Sequence, residues 1–208
     1  MKLLKKLSVI TIIFCFVTEA FAEEWNVSTW GKRRAFTEHI EKLAELVSAK
    51  TNGEFTMNIS YGGLSKNREN LDGISIGAFE MAQFCAGYHP DKNRVVTVLE
   101  LPFLGVENLE QEVAVSSAVY AHPAATKEMA QWNAKLLMTS PMPQYNLVGT
   151  GAPRDTLESF NGMRVRATGG LGKAFKAAGA VPTSVTATEA YQAMESGVVD
   201  TVAFAQHA

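Results

Sequence analysis

The chain predicts an α/β fold built from two similar lobes, and three observations carry that prediction. From Phe160 to Phe204 the pattern runs strand, helix, strand, helix, strand, the signature of parallel strands with crossover helices. The segment Gly77-Ala78-Phe79-Glu80-Met81-Ala82-Gln83-Phe84 aligns without gaps on Gly197-Val198-Val199-Asp200-Thr201-Val202-Ala203-Phe204. Both copies hold a helix-stopping glycine, an acidic residue three positions later and a phenylalanine seven positions later. Each also closes a βαβαβ run, which two lobes explain better than one sheet.

The first 22 residues read as an export signal to be left out of fold reasoning. Lys2, Lys5 and Lys6 precede an apolar run from Leu7 to Val17, and Ala20-Phe21-Ala22 supplies an A-x-A cleavage site. The run is too short for a comfortable permanent anchor, so a periplasm-like destination is expected. Cleavage removes three lysines and Glu19, taking the net charge from −2 to −4. That balance argues against nucleic acid or an anionic membrane as partner. Cys85 is then the one cysteine left, so no internal disulfide forms and the fold rests on its hydrophobic core.

Trp25 to Trp30 is expected as the first strand, with Gly31 ending it. Phe36, Ile40, Leu43, Ala44 and Val47 mark one face of a helix that Asn52-Gly53 stops. Phe55, Met57, Ile59 and Tyr61 alternate with polar residues as in a strand. A helix over Asn67–Ile76 and a strand over Ala78–Phe84 follow. Pro90 to Arg94 is a polar loop and Val95 to Leu99 an apolar segment. Asn108 to Ala121 is a long helix broken near His122-Pro123, and Pro123 starts another through Ala134. Leu136-Leu137-Met138 is expected as a strand. Pro141 and Pro143 exclude a central strand there, and Asn146 to Thr150 crosses between the lobes as a connecting strand. Gly162 to Arg166 is a strand, Gly169-Gly170 opens a helix closed by Gly179, and Val181 to Val185 is a buried strand. Thr186-Ala187-Thr188-Glu189 has capping-box spacing for a helix ending at Gly197, and Val198 to Phe204 is the last strand. The lobes are expected over 23–145 and 146–208. The chain stops at Ala208 almost directly after the last strand, so the second lobe is expected to be incomplete and the chain truncated at its C-terminus.

The zinc-hydrolase motif H-E-x-x-H is absent, and the four histidines have no Cys or carboxylate at metal-ligand spacing. Gly169-Gly170-Leu171-Gly172-Lys173 lacks the first glycine of a phosphate loop, and Ala174 stands where Ser or Thr would meet magnesium. No cofactor and no metal are expected. Arg166 is the strongest candidate. A strand-end arginine is often a solvated surface residue, but this one precedes a glycine-opened helix, where ligands of open α/β sheets sit and where a guanidinium pairs naturally with a carboxylate. Arg164 shares its side of the strand and is expected deeper. Trp30 and Phe204 fall at strand ends and are expected as apolar walls, with Phe84 and Tyr88 beside them. Gly169 and the Thr186 region complete the second lobe's share. Glu189 reads as a helix cap and Cys85 as a small buried hydrophobe.

Several stretches resemble the solute-binding proteins of tripartite ATP-independent periplasmic (TRAP) transporters of the DctP type. They are the G-x-R-V-R strand Gly162–Arg166, Ala177–Pro182, the run Thr188–Asp200, and Glu100-Leu101-Pro102-Phe103-Leu104. The resemblance implies a type II periplasmic-binding-protein-like fold with two lobes joined by hinge strands. It also implies closure over an organic acid, delivery to membrane permease subunits, and pairing of Arg166 with the ligand carboxylate. A second arginine that many relatives carry falls at Asn146 here, and a polar position near the end of the last strand falls at Phe204. Both departures favour a monocarboxylate or 2-oxo acid. The family's later hinge segments and long C-terminal helices have no counterpart in this chain. Two other readings stay open at this point: a secreted enzyme acting on small organic acids with Glu189 or Asp200 as base, and a non-functional fragment.

Overall fold

The structure is a computed structural model that describes residues 22–142 and 144–205. All of the expected export signal except Ala22 lies outside the described residues. The first sheet takes β1 (Glu23–Thr29), α1 (Glu38–Lys50), β2 (Phe55–Tyr61), α2 (Asn70–Ser75) and β3 (Met81–Ala82), with strand order β2-β1-β3, all parallel. Ile40 and Leu43 of α1 pack on Val27 and Met81, the alternate positions of their strands. Val27 is fully buried, which stabilises the lobe by about 1.5–3 kcal/mol relative to an exposed valine.

Two helices follow, α3 (Leu109–Ala121) and α4 (Pro123–Ala130). Asn108 caps α3 by accepting from the Gln111 N–H at 2.9 Å. Pro123 has no N–H to lose at the first position of α4, and His122 Nδ1 accepts from Ala124 N at 3.1 Å. The second sheet takes β4 (Tyr145–Gly149), β5 (Arg164–Arg166), α5 (Gly169–Ala177), β6 (Val181–Thr183), α6 (Ala190–Glu195) and β7 (Thr201–Ala205), in the order β4-β7-β5-β6. Leu171 and Phe175 of α5 cover Val165 and Ala203 on one face, while Ala190 and Ala193 of α6 cover Val202 on the other. The architecture is the two-lobed α/β, type II periplasmic-binding-protein-like fold that the sequence predicts.

The internal repeat is structural. Gly77 and Gly197 both take φ of +70°, a conformation that glycine reaches without strain, and turn the chain from helix into strand. Glu80 N donates to Asn26 O at 3.2 Å and Asp200 N to Arg164 O at 2.9 Å, the same link to β1 in one sheet and to β5 in the other. The registers then match: Ser28 lies opposite Ala82 as Arg166 lies opposite Val202. Ser28 and Arg166 therefore hold the same place in their two sheets.

Several expected elements differ. Leu136–Met138 forms no strand, and Leu137 and Met138 are exposed. The ladder over Ala78–Phe84 shrinks to Met81–Ala82 because Phe79 turns inward against Gly73 and Cys85 already starts a 3-10 turn. Helix α2 begins three residues later than expected, after a turn over Lys66–Glu69, and α4 stops at Ala130, beyond which Asn133 takes a left-handed φ of 52°. The strand after Val181 is an edge strand with Val181 exposed, since Pro182 has no N–H for a further neighbour. The segment expected to cross between lobes is β4, which pairs antiparallel with β7 along its whole length. Arg164 is exposed and bonded to Asp200 at the rim, so it is Arg166 that sits deep.

Candidate functional site

Arg166 ends β5 and is only 2% exposed. Its guanidinium is held on three sides: Nε donates to Val185 O at 3.0 Å, Nη1 to Ala203 O at 3.0 Å, and Nη2 to Tyr88 Oη at 3.2 Å. Ala203 lies within β7 and Val185 just past the end of β6, the two strands that flank β5, so the backbone on both sides orients the group. A guanidinium has five N–H donors, and three are used among the described residues. One N–H on each terminal nitrogen is left over. The ring of Phe204 lies 5.1 Å from Cζ and covers one face of the cation.

Tyr88, on the 3-10 turn Ala86–Tyr88, brings the first lobe into this centre. Its Oη also accepts from Ala187 N at 2.7 Å, in the capping-box turn before α6. With both lone pairs engaged, the phenol has its own O–H left to donate. Burial raises the Tyr88 pKa above the ordinary phenol value, so it is protonated at neutral pH. Arg68 strengthens the same seam, donating to Ser184 O and Oγ of the second lobe and to Tyr88 O of the first. A Tyr88→Phe variant leaves the Arg166 and Ala187 donors without this acceptor. It is expected to lose about 1–3 kcal/mol in a urea titration while keeping its far-ultraviolet circular dichroism.

Trp30 stands one residue past β1, 6% exposed, with its ring 5.8 Å from that of Tyr88 in an edge-on contact. The Arg34 guanidinium covers the indole at 4.4 Å. Trp30 Nε1 is buried and has no hydrogen-bond partner among the described residues. An N–H so placed costs stability unless something accepts from it. Trp30, Phe84, Tyr88, Arg166 and Phe204 line one cleft of about 1590 Å³ between the lobes.

Three other candidates stand outside its lining. Asn146 is exposed on the edge strand β4, and its side chain donates to Gln144 O at 3.2 Å. The Thr186 hydroxyl is turned to Glu189 at 2.6 Å, in the capping box. Gly169 faces the Glu100 carboxylate, whose Oε2 accepts from Gly170 N at 3.3 Å. Glu100 and Thr168 both line the cleft and were not among the sequence candidates. Cys85 also lines it, half-buried instead of inside the core, with its thiol pushed up to about 12 by burial. Among the described residues no group of three or more His, Cys, Asp or Glu is placed to hold a metal, and no helix is long and apolar enough to cross a membrane.

Residues 27–203, which span most of both sheets and of the cleft lining, match the model of bacterial extracellular solute-binding protein family 7 (DctP). The chain belongs to that family. Among solved structures it is similar to an extracytoplasmic solute receptor of Bordetella pertussis binding pyroglutamic acid, at 23% identity and a TM-score of 0.75, over 87% of this chain and 60% of that one. A TRAP periplasmic solute-binding protein of Bordetella bronchiseptica with bound mandelate is similar at 21% identity and a TM-score of 0.75, over 87% and 58% of the two chains. The outer membrane transporter protein TsaT of Comamonas testosteroni is 22% identical over 162 residues, which are 77% of this chain and 47% of that protein. The chain thus spans about 60% of these solute-binding structures and about half of the curated relative.

Proposed function

We propose that this chain carries the ligand-gripping part of a periplasmic solute-binding protein that captures an organic acid for a TRAP-type transporter. The observation that carries the reading is Arg166, buried, oriented by two backbone carbonyls and left with one N–H on each terminal nitrogen. A carboxylate accepts such a pair side by side. The Tyr88 O–H supplies a further donor beside Arg166, suited to an oxygen next to the carboxylate, as in a 2-oxo or 2-hydroxy acid. Phe84 and Phe204 provide apolar walls. Pyroglutamic acid and mandelate, held by two receptors of similar fold, each have one carboxyl group, which supports a monocarboxylate at a single deep arginine.

In this reading residues 1–22 direct export to the periplasm, 23–145 form one lobe, and 146–208 belong to the second. A ligand touching both lobes favours the closed state through its differential affinity for it, and membrane permease subunits of the transporter receive the load. The enzyme reading is weaker on this geometry. Glu189 is spent in the Thr186 capping box and Asp200 in its pair with Arg164; both carboxyls are held below their ordinary range, and neither lines the cleft. A thermal-shift screen of the chain without residues 1–22 against mono-, di- and 2-oxo carboxylates tests the proposal. One class should give a saturable rise, worth about 2.7 kcal/mol at a hundredfold excess over Kd. A cooperative melt that no acid moves would overturn it.

A further inference from the structure

We propose that Glu100 is the proton acceptor of this cleft: capture of an organic anion at Arg166 drives one proton from solvent onto the Glu100 carboxylate, so the acid is held together with a proton. The inference rests on the carboxylate site proposed above and adds a residue and a co-bound ion to it.

Glu100 closes the 3-10 turn Val96–Glu100 in the first lobe and reaches across to the second, where Oε2 accepts from Gly170 N at 3.3 Å in the first turn of α5. The space is shaped for a carboxyl group by glycines from both lobes. A Cβ on Gly87 would lie 2.7 Å from Oε2 and 2.8 Å from Oε1, and one on Gly169 would lie 1.5 Å from Oε2. No lysine or arginine among the described residues pairs with Glu100.

The ionisable groups around Glu100 come from every element packed on it. Arg166 of β5 and Lys173 of α5 are the cations within its field. Cys85 and Tyr145 feel its charge, and Tyr88 and Glu112 line the same cleft. Glu128 of α4 accepts from Arg94 and Val95 N at the other end of the turn. Burial already holds the Glu100 carboxyl above its ordinary pKa, against the opposing pull of the Gly170 and Gly87 N–H groups and of Arg166. An incoming carboxylate takes over the Arg166 charge and adds a negative charge of its own. Two carboxylates then share one cation in a cleft that closure dries, and the one without a paired cation takes up a proton. No bond forms other than the O–H on Glu100. The sign follows: binding raises the Glu100 pKa, so protons are absorbed on binding and affinity rises as pH falls, by up to about tenfold per pH unit between the free and bound values.

Calorimetric titration with mandelate and with pyroglutamate near neutral pH, repeated in buffers of different protonation enthalpy, measures the uptake. The expected result is an apparent enthalpy that depends linearly on the buffer, with about 0.5–1 proton absorbed per ligand, and loss of that dependence in Glu100→Gln with binding retained. In the unsubstituted protein a carboxylic-acid carbonyl band should also appear in the infrared difference spectrum on ligand addition, a readout that needs no variant to fold. Binding with a buffer-independent enthalpy, or proton uptake that persists in Glu100→Gln, overturns this proposal alone. If neither probe nor any other acid of the screen binds to folded protein, the carboxylate site falls and this proposal falls with it.

Discussion

Arg166→Ala is expected to weaken acid binding by about 30-fold or more and to weaken the fold in one step. The sequence alone would have a strand-end arginine act on the ligand and leave the fold intact; burial changes that expectation. Removing the guanidinium leaves Val185 O and Ala203 O without their donor, at about 1–3 kcal/mol for each buried acceptor left unsatisfied. It also leaves a void against the Phe204 ring. Truncating one side of a buried, hydrogen-bonded charge pair costs binding about 2–5 kcal/mol, which is about 30-fold or more. Arg166→Lys separates the two effects. The charge stays, but the three N–H groups of one ammonium cannot serve two carbonyls and a side-by-side carboxylate pair, so the variant should fold and bind at least about tenfold more weakly. Urea titration and calorimetry on both variants check this, and unchanged affinity in Arg166→Lys would remove Arg166 from the ligand.

The protein should also lose stability between pH 6.5 and pH 4, through His89. This imidazole is 3% exposed, packs at 6.0 Å from the Phe84 ring, and has a buried Nε2 with no partner among the described residues. Burial, with help from Lys92 and Arg68, brings its pKa down to about 4 from 6.5, and Asp72 opposes the shift only in part. The unfolded chain therefore binds a proton at His89 that the folded chain refuses. Stability is full above pH 6.5 and declines as pH falls towards 4, by about 2 kcal/mol at pH 5 and about 3 kcal/mol at the lower limit. His39, whose pKa is also lowered by burial, works in the same direction. Urea titrations at pH 7.5 and pH 5 should show the loss, and His89→Gln, neutral throughout, should remove most of it.

The parts of the fold legible in the sequence are those with local periodicity. β2 alternates apolar and polar residues, α1 repeats apolar residues on one face, and α3 has its Asn108 cap written beside it. Leu136–Met138 misled because three apolar residues in a row suit a strand, a helix end or a loop equally well. Arg164 and Arg166 shared a spacing, yet what separates them is tertiary. Arg164 sits at the end of β5 where Asp200 waits at the rim, while Tyr88 and Val185 close over Arg166 at the other end. Glu100 was hidden for the same reason. Its partner is the N–H of Gly170, 70 residues away on the other lobe, and no local pattern announces such a contact.

The strand order also sets how the chain must find its fold. The link from Asn26 to Glu80 spans 54 residues, and that from Arg164 to Asp200 spans 36. β4 waits for β7, with the whole β5–α5–β6–α6 unit lying between them in the chain. Every ladder therefore closes a long loop before its contacts repay the lost chain entropy, and folding of such topologies is slow. A chain still emerging would hold β4 as an unpaired, apolar edge until its last strand is free. In the export proposed above, slow closure would leave the polypeptide open to threading across a membrane before it becomes compact.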